Sequence, residues 1–549
     1  MQGVEKRQSF LEGALFLTVG VLAVKVIGAL YKVPLSAVIG EAGMGYFSTA
    51  YSVYNVIFTF STAGLPVAVA RAVSAADAKG DRDLILKTRR TALPLFFFTG
   101  LSGFLAVLLF APPFLSAVGN PDALPALLAL SPAVLFCSTA SAYRGYFEGK
   151  RNMVPTAVSQ VIEAAAKLVF GLTFAVLVMR ALPENGTPYG AAAAIFGVTL
   201  GALLSLLYLA LKAKGGAHRP KFKPGERKRI SKNLVKAALP VSAGAVAVSV
   251  SGLIDASFLQ TRLLHIVQSD PAPLFSTLRG CIPEAIAADP AAVPNYLFGC
   301  YNMALTLFML IPGITQAFAT SALPNVSAAF IRGDRRALGT TVAAVLRLTL
   351  FFALPAGLGL SALAEPAARL VYGDRPSMPI LSMLLSVMGI SAVFSAVTTP
   401  LSAMLQAVGK TVLPVVLQGV GLVIKIILNY VLVGIPRVNL MGGALSTLAS
   451  GVCTAAALYI ALSRTLKLRL SPDIWLKPLC AAAVSTLSAL STLRIIWYMG
   501  FSGRFSALPC VVTAVLFYAA AAYLFGAIPQ AVPDGPRRRG KARKNREKS

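Results

Sequence analysis

Residues 73–82 read VSAADAKGDR, and residues 326–335 read VSAAFIRGDR. Seven of the ten positions are identical, and Lys79 against Arg332 keeps the charge. Each copy follows one long apolar run and precedes another. A second echo lies downstream: Gly149-Lys150, Pro155, Gln160 and Lys167 recur as Gly409-Lys410, Pro414, Gln418 and Lys425. The offsets are 253 residues (326 minus 73) and 258 residues (425 minus 167). Two echoes at nearly one offset predict a duplicated half of roughly 250 residues, too long for a solenoid repeat and the size of one transporter lobe.

The composition says where such a lobe resides. Of 549 residues, 56% are hydrophobic and only 13% charged, against about 25% charged in soluble proteins. Apolar runs near ~20 residues recur throughout, the signature of helical membrane proteins. Strand alternation is not seen, which argues against an outer-membrane barrel. The expectation is an all-α polytopic membrane protein with fourteen spans, at 10–31, 45–70, 91–111, 124–143, 156–179, 189–211, 235–258, 296–320, 338–362, 379–403, 412–434, 440–462, 474–496 and 506–528. Lys25 interrupts the first run and no A-x-A site follows, so an uncleaved span is expected rather than a signal peptide. Residues 1–211 form the first lobe with six spans, 212–236 a basic linker and 237–467 the second lobe. Residues 468–530 add two spans, and 531–549 are a basic tail. Residues 260–294 form a Pro- and Asp-rich external loop.

A net charge of +29 in such a chain does not imply nucleic acid, because the basic residues are confined to alternate connections. With the N-terminus inside, 38 of the 50 lie in or beside cytoplasmic segments and nine in external ones. That excess predicts both termini in the cytoplasm of a cell whose plasma membrane the chain spans. Both decamers then face the cytoplasm.

Signals for catalysis are nearly absent. His218 and His265 each stand alone, and no G-x-S-x-G, H-E-x-x-H or Walker loop occurs. The six cysteines lack metal-like spacing, and Cys281 with Cys300 could pair across the external loop. No enzyme, cofactor or metal is expected. A carrier driven by membrane potential, Na+ or H+ fits better.

The informative residues are charges inside spans. A lysine near a helix centre costs about 2.5–3.5 kcal/mol on insertion scales, so it faces a cavity or a partner. Lys25, Lys167 and Lys425 are such residues. Glu163 precedes Lys167 by one turn in the favourable order for pairing, and Gln160 extends that stripe. The position matching Glu163 in the second half is Gly421 (163 plus 258), so Lys425 has no local carboxylate and is expected to be free for an anion. Acidic residues within spans are few, Glu163 and Asp255. A cavity richer in lysine than carboxylate suits phosphate or pyrophosphate and disfavours organic cations. Lys32 and Arg71 join Lys25, Lys167 and Lys425 as candidate anion-binding residues; Glu163, Gln160, Gln418 and Asp255 are candidate modulators. Lys79, Asp81, Arg82, Arg332, Asp334 and Arg335 of the decamers are candidate gate residues on the cytoplasmic side, where Gly-Asp also reads as a turn.

The residue pattern resembles a known group. Two six-span lobes plus two spans are similar to the multidrug/oligosaccharidyl-lipid/polysaccharide (MOP) exporter superfamily. Residues 13–74 (GALFLTVGVLAVKVIGALYKVPLSAVIGEAGMGYFSTAYSVYNVIFTFSTAGLPVAVARAVS) resemble the opening of its stage V sporulation protein B and polysaccharide biosynthesis branch. So do YRGYFEGKRNMVPTAVSQVIE (143–163) and VIKIILNYVLV (423–433). The resemblance implies a V-shaped transporter similar to MurJ-type lipid II flippases. It implies outward flipping of an undecaprenyl-pyrophosphate-linked sugar, with cations holding the pyrophosphate, membrane lipids around the protein and a monomeric state. In that family a basic residue of the first span lies in an S-R-x-x-G context. Here the matching stretch is Val24-Lys25-Val26-Ile27-Gly28, with Lys for Arg and Val for Ser. Lysine is a point charge, which weakens the expectation of bidentate phosphate binding. An exporter of another lipid-linked polysaccharide unit, a multidrug cation antiporter and a non-transporting scaffold for wall or spore-coat synthesis stand as alternatives.

Overall fold

The computed structural model describes residues 10–62, 64–183, 186–213, 220–467, 471–500 and 503–529. His218, the basic tail at 531–549 and part of the 212–236 linker lie outside them. The described residues are helical with no strand among them.

Expected spans one and two lie on one helical stretch, α1 (Phe10–Thr62), continued by α2 (Gly64–Ala78). The helix bends at Gly40, whose φ of 66° lies in the left-handed region open to glycine. Next come α3 (Arg82–Val118) and α4 (Leu124–Gly149). Span five is built from α5 (Val154–Ala166), a π turn at Lys167–Gly171 and α6 (Leu172–Ala181), and span six is α7 (Thr187–Lys212). Then follows α8 (Glu226–Ser269), with short α9 (Ala272–Thr277) and α10 (Glu284–Ala287). The expected loop at 260–294 is thus partly helical, since α8 runs on for ten residues past 259. The remaining helices are α11 (Ala292–Phe308), α12 (Leu310–Ile331), α13 (Arg335–Ala362), α14 (Ala364–Tyr372), α15 (Met378–Ala407), α16 (Val412–Val433), α17 (Met441–Leu466), α18 (Asp473–Tyr498) and α19 (Ala507–Leu524).

Twelve helical stretches among the described residues are long and apolar enough to cross a membrane. The difference from fourteen has two sources. The stretch Val26–Ala78 counts once for the second expected span and the end of the first, residues 26–31, and α8 is not among the twelve. Large apolar side chains face outward along the helices, with Phe60 69%, Leu109 70% and Leu524 78% exposed. Water would penalise such a surface; lipid tails do not. The chain is an all-α, multi-pass membrane protein.

Contacts divide the chain into two compact units. The first comprises 1–310, 364–388 and 418–450, the second 311–363, 389–417 and 451–549. In the first unit, Val73, Phe96, Phe147 and Leu209 pack α2, α3, α4 and α7 into one core. In the second unit, Leu363, Leu493 and Cys510 pack beside α18 and α19. There the Tyr518 hydroxyl donates to the Phe351 carbonyl of α13 at 2.6 Å.

The repeated decamers share a local structure. Gly80 and Gly333 have φ of 70° and 67°, ending α2 and α12 in the left-handed conformation. Asp81 and Asp334 then start α3 and α13: Asp81 Oδ1 accepts from Leu84 N at 2.8 Å, and Asp334 Oδ1 from Ala337 N at 2.9 Å. The Gly-Asp pair is a helix stop followed by a helix N-cap. Cys281 and Cys300, weighed as a possible pair, are separate buried thiols.

Candidate functional site

Lys167 opens the π turn between α5 and α6. A π turn inserts one extra residue into the helical ladder and shifts the faces of the residues beyond it. Helix α7 presses on this turn: a Cβ at Gly197 would run into the Gly171 nitrogen. On the other side the Tyr31 hydroxyl of α1 donates to the Ala194 carbonyl of α7 at 2.9 Å. The three elements enclose a cavity of about 400 Å³ whose wall includes Val24, Gly28, Tyr31, Tyr51, Arg144, Gln160, Glu163 and Lys167.

Within the cavity the expected pairing is rearranged. Glu163 accepts from Arg144 Nη2 of α4 at 2.8 Å. Arg144 also donates to Ser159 Oγ at 3.1 Å and Ser205 Oγ at 3.0 Å. The Lys167 ammonium instead lies over two aromatic faces, 4.9 Å from the Tyr31 centroid and 5.0 Å from that of Tyr51. Ring faces carry partial negative charge and steady a cation without neutralising it. Two cations against one carboxylate leave this wall net positive. Lys32, next to Tyr31, is partly buried and within electrostatic reach of Lys167. Gln160 lies one turn before Glu163 on the same wall. The side chain of Lys25 lies outside the described residues, but its neighbours Val24, Ile27 and Gly28 line the cavity. Arg71 is exposed on α2 and does not line it.

Lys425, expected to be free, is not. Its ammonium donates to Asp255 Oδ2 of α8 at 2.7 Å and Ser251 Oγ at 3.1 Å. Asn429 donates to the other carboxylate oxygen at 2.9 Å and accepts from Ser446 at 2.6 Å. The Tyr301 hydroxyl reaches Asp255 at 3.4 Å and Thr447 at 3.3 Å. The lysine and aspartate side chains are 10% and 7% exposed. The correction has a physical cause: the carboxylate missing from α16 arrives from another helix, and Gly421 does not leave the lysine open. Gln418 lies partly buried on α16. The decamer residues Lys79, Asp81, Arg82, Arg332, Asp334 and Arg335 are all exposed.

Two features escaped the sequence. Arg144 falls one residue beyond the expected end of span four at 143, whereas α4 continues to Gly149. The RGYFEG context, apolar at helical spacing, was the available signal. The second feature is a buried polar knot in the first unit. Asn120 Nδ2 donates to Gln260 at 2.7 Å, Asn295 at 2.9 Å and Thr49 at 3.3 Å. Gln260 donates to Thr49 at 2.9 Å. No periodicity marks residues brought together from such distant positions.

The pattern of the polysaccharide biosynthesis protein family matches residues 10–330, and the MatE pattern matches 298–431. Lipid II flippase MurJ of Bacillus subtilis (strain 168) is 27% identical over 476 residues, covering 82% of this chain and 80% of that protein. Stage V sporulation protein B of the same organism is 27% identical over 460 residues, covering 83% of each. Among solved structures, the lipid II flippase MurJ in an inward closed conformation aligns with a TM-score of 0.68. That alignment covers 93% of this chain and 98% of the other at 16% identity, a likeness of fold.

Proposed function

Since the chain belongs to the polysaccharide biosynthesis protein family, in the MurJ-like branch of the MOP superfamily, we propose that it is a lipid-linked oligosaccharide flippase of the bacterial cytoplasmic membrane, with lipid II as its substrate. The two duplicated lobes exchange access to the two sides, and membrane potential or a gradient of Na+ or H+ drives the cycle. The protein acts as a monomer with both termini in the cytoplasm.

One observation carries the reading. The cavity holds a lysine, Lys167, stabilised by two tyrosine faces, while the neighbouring carboxylate is engaged by Arg144. An ammonium held this way can meet a pyrophosphate without first breaking an ion pair. An organic cation would meet net positive charge there, which counts against a drug antiporter. Lys25, one turn before the cavity residue Gly28, and Lys32 are proposed as further cations for the same anion. Lys425 is proposed as a structural member of its own network.

The test is external accessibility of lipid II in a flippase-depleted strain expressing this chain. Wild type restores accessibility, and Lys167→Ala lowers it at least tenfold with unchanged membrane abundance. Full activity in the Lys25→Ala, Lys167→Ala double variant would sink the assignment of the site. Failure of the wild type alone, with a different lipid-linked sugar exported, would move the substrate to another polysaccharide unit. The likeness to stage V sporulation protein B makes that the second reading.

A further inference from the structure

The linker before α8 contributes to a second cavity, apart from the transport site. It measures about 560 Å³ and lies between α3 and the start of α8. One wall is basic: Lys223, Arg227 and Lys228, all exposed at their heads. The other is apolar, from Pro94, Leu95 and Phe98 of α3. Phe98 is 64% exposed and, with its neighbour Phe97, belongs to the outward apolar surface.

Three further observations point to a phosphate ligand. Gly225 precedes α8 with φ of 77° and offers no side-chain cap; the Glu226 N–H donates to the Lys223 carbonyl at 3.1 Å, and the Arg227 and Lys228 N–H groups of the same first turn have no acceptor within the helix. The nearby carboxylate is already occupied: Glu226 accepts from Lys87 at 2.9 Å and from the Lys223 N–H at 2.9 Å. Thr91 lines the cavity, is 3% exposed, and its hydroxyl has no hydrogen-bond partner. A buried hydroxyl left unpaired is destabilising, so a partner from outside the chain is the natural expectation. The cavity also lies where both helices change from charged to apolar sequence: Arg89-Arg90 precede Thr91 in α3, and Lys236 is the last basic residue before the apolar part of α8. That is the level of lipid headgroups.

We propose that the cavity between Thr91–Phe98 of α3 and residues 223–231 binds one anionic glycerophospholipid of the surrounding bilayer. Its phosphate lies among Lys223, Arg227, Lys228 and the Thr91 hydroxyl, and an acyl chain runs along Leu95 and Phe98. The phosphate satisfies the helix terminus, the three cations and the hydroxyl together; the chain covers the exposed phenyl. A soluble phosphate anion would leave the apolar wall uncovered.

The test uses the purified full chain in neutral detergent, titrated with phosphatidylglycerol and read by native mass spectrometry. Wild type takes up one tightly held lipid. Lys223→Ala/Arg227→Ala/Lys228→Ala weakens uptake at least tenfold, and Thr91→Val weakens it severalfold. A control, Arg332→Ala/Arg335→Ala/Arg336→Ala, removes as many charges from another exposed turn and leaves uptake unchanged. Equal weakening by the control would reduce the effect to general charge and overturn the proposal. So would phosphatidylcholine binding as tightly, glycerol phosphate competing as well as the lipid, or undecaprenyl phosphate displacing it at lower concentration. Should the triple variant not fold, Thr91→Val and Lys228→Ala decide: binding unchanged in both rejects the site.

Discussion

Glu163 and Lys167 lie one turn apart on the same helical stretch, yet the carboxylate bonds Arg144 of α4 at 2.8 Å and the lysine rests on Tyr31 and Tyr51. A guanidinium presents several donors in one plane, and here it also meets Ser159 and Ser205. An i,i+4 pair offers only a few tenths of a kcal/mol, so the arginine outcompetes the neighbour.

Removing that arginine therefore leaves a charge uncompensated among helices. Arg144→Ala is expected to destabilise the folded protein by about 3 kcal/mol. Arg144→Ala with Glu163→Ala should cost less than the two single changes summed. Thermal unfolding of the four proteins in one detergent measures the coupling. Strict additivity would mean that the pair contributes nothing.

The decamers make a prediction about stability. Asp81→Ala and Asp334→Ala each remove one N-cap and should each cost about 1 kcal/mol. Their effects should be additive, because the two caps share no partner. Asp→Asn at either position should be close to neutral, since an amide oxygen caps as well. Transport at permissive temperature should be unchanged in all four; a large loss of transport without loss of stability would instead support a gating role.

These caps also show what was legible in the chain. Periodicity and composition place the helices, because lipid demands long apolar runs with self-satisfied backbones, but not all their ends: α3 begins at Arg82 against an expected 91, and α8 spans Glu226–Ser269 against 235–258. The decamers point to the duplication, and their Gly-Asp chemistry announces a turn. Side-chain partners were another matter. The echo of Lys167 and Lys425 is real, but each lysine's surroundings come from helices remote in sequence: Tyr31 and Tyr51 for one, Asp255 for the other. Local spacing ranks neighbours within a helix and is silent on which helix packs against it. The same blindness hid Arg144, one residue past the expected span end at 143.

The contact between the linker and α3 carries a pH dependence. The Lys223 N–H and the Lys87 ammonium hold the Glu226 carboxyl below the usual carboxylate range. A depressed acid contributes stability above its unfolded value, about 4.3, and loses it as pH falls through the folded value. Wild type should therefore lose thermal stability on acidification below about pH 4 relative to pH 7. Glu226→Gln should be less stable at pH 7 and flatter through that window. Identical pH profiles for the two proteins would show that the contact has no share in acid sensitivity.

Asp255 and Lys425 form the most enclosed charge pair among the described residues of the first unit, with Asn429, Ser251 and Tyr301 completing their hydrogen bonds. Breaking such a pair from one side costs about 3–5 kcal/mol, because the remaining ion is left without its partner in a site that excludes water. Lys425→Ala should thus be more harmful than Lys425→Met/Asp255→Leu, which replaces both ions with apolar groups. Lys425→Arg should be poorly tolerated as well, since a wider fork cannot enter a position sized for an ammonium between Ser251 and Asp255. Thermal unfolding ranks these variants, and lipid II accessibility reads their transport. If Lys425 served chiefly to hold substrate anion, the order would reverse: the paired apolar variant would be stable and inactive, and Lys425→Arg would keep activity. A variant pair that recovers stability and transport together identifies the ion pair as a structural clasp among α8, α11, α16 and α17, leaving the cavity around Lys167 to handle the anion.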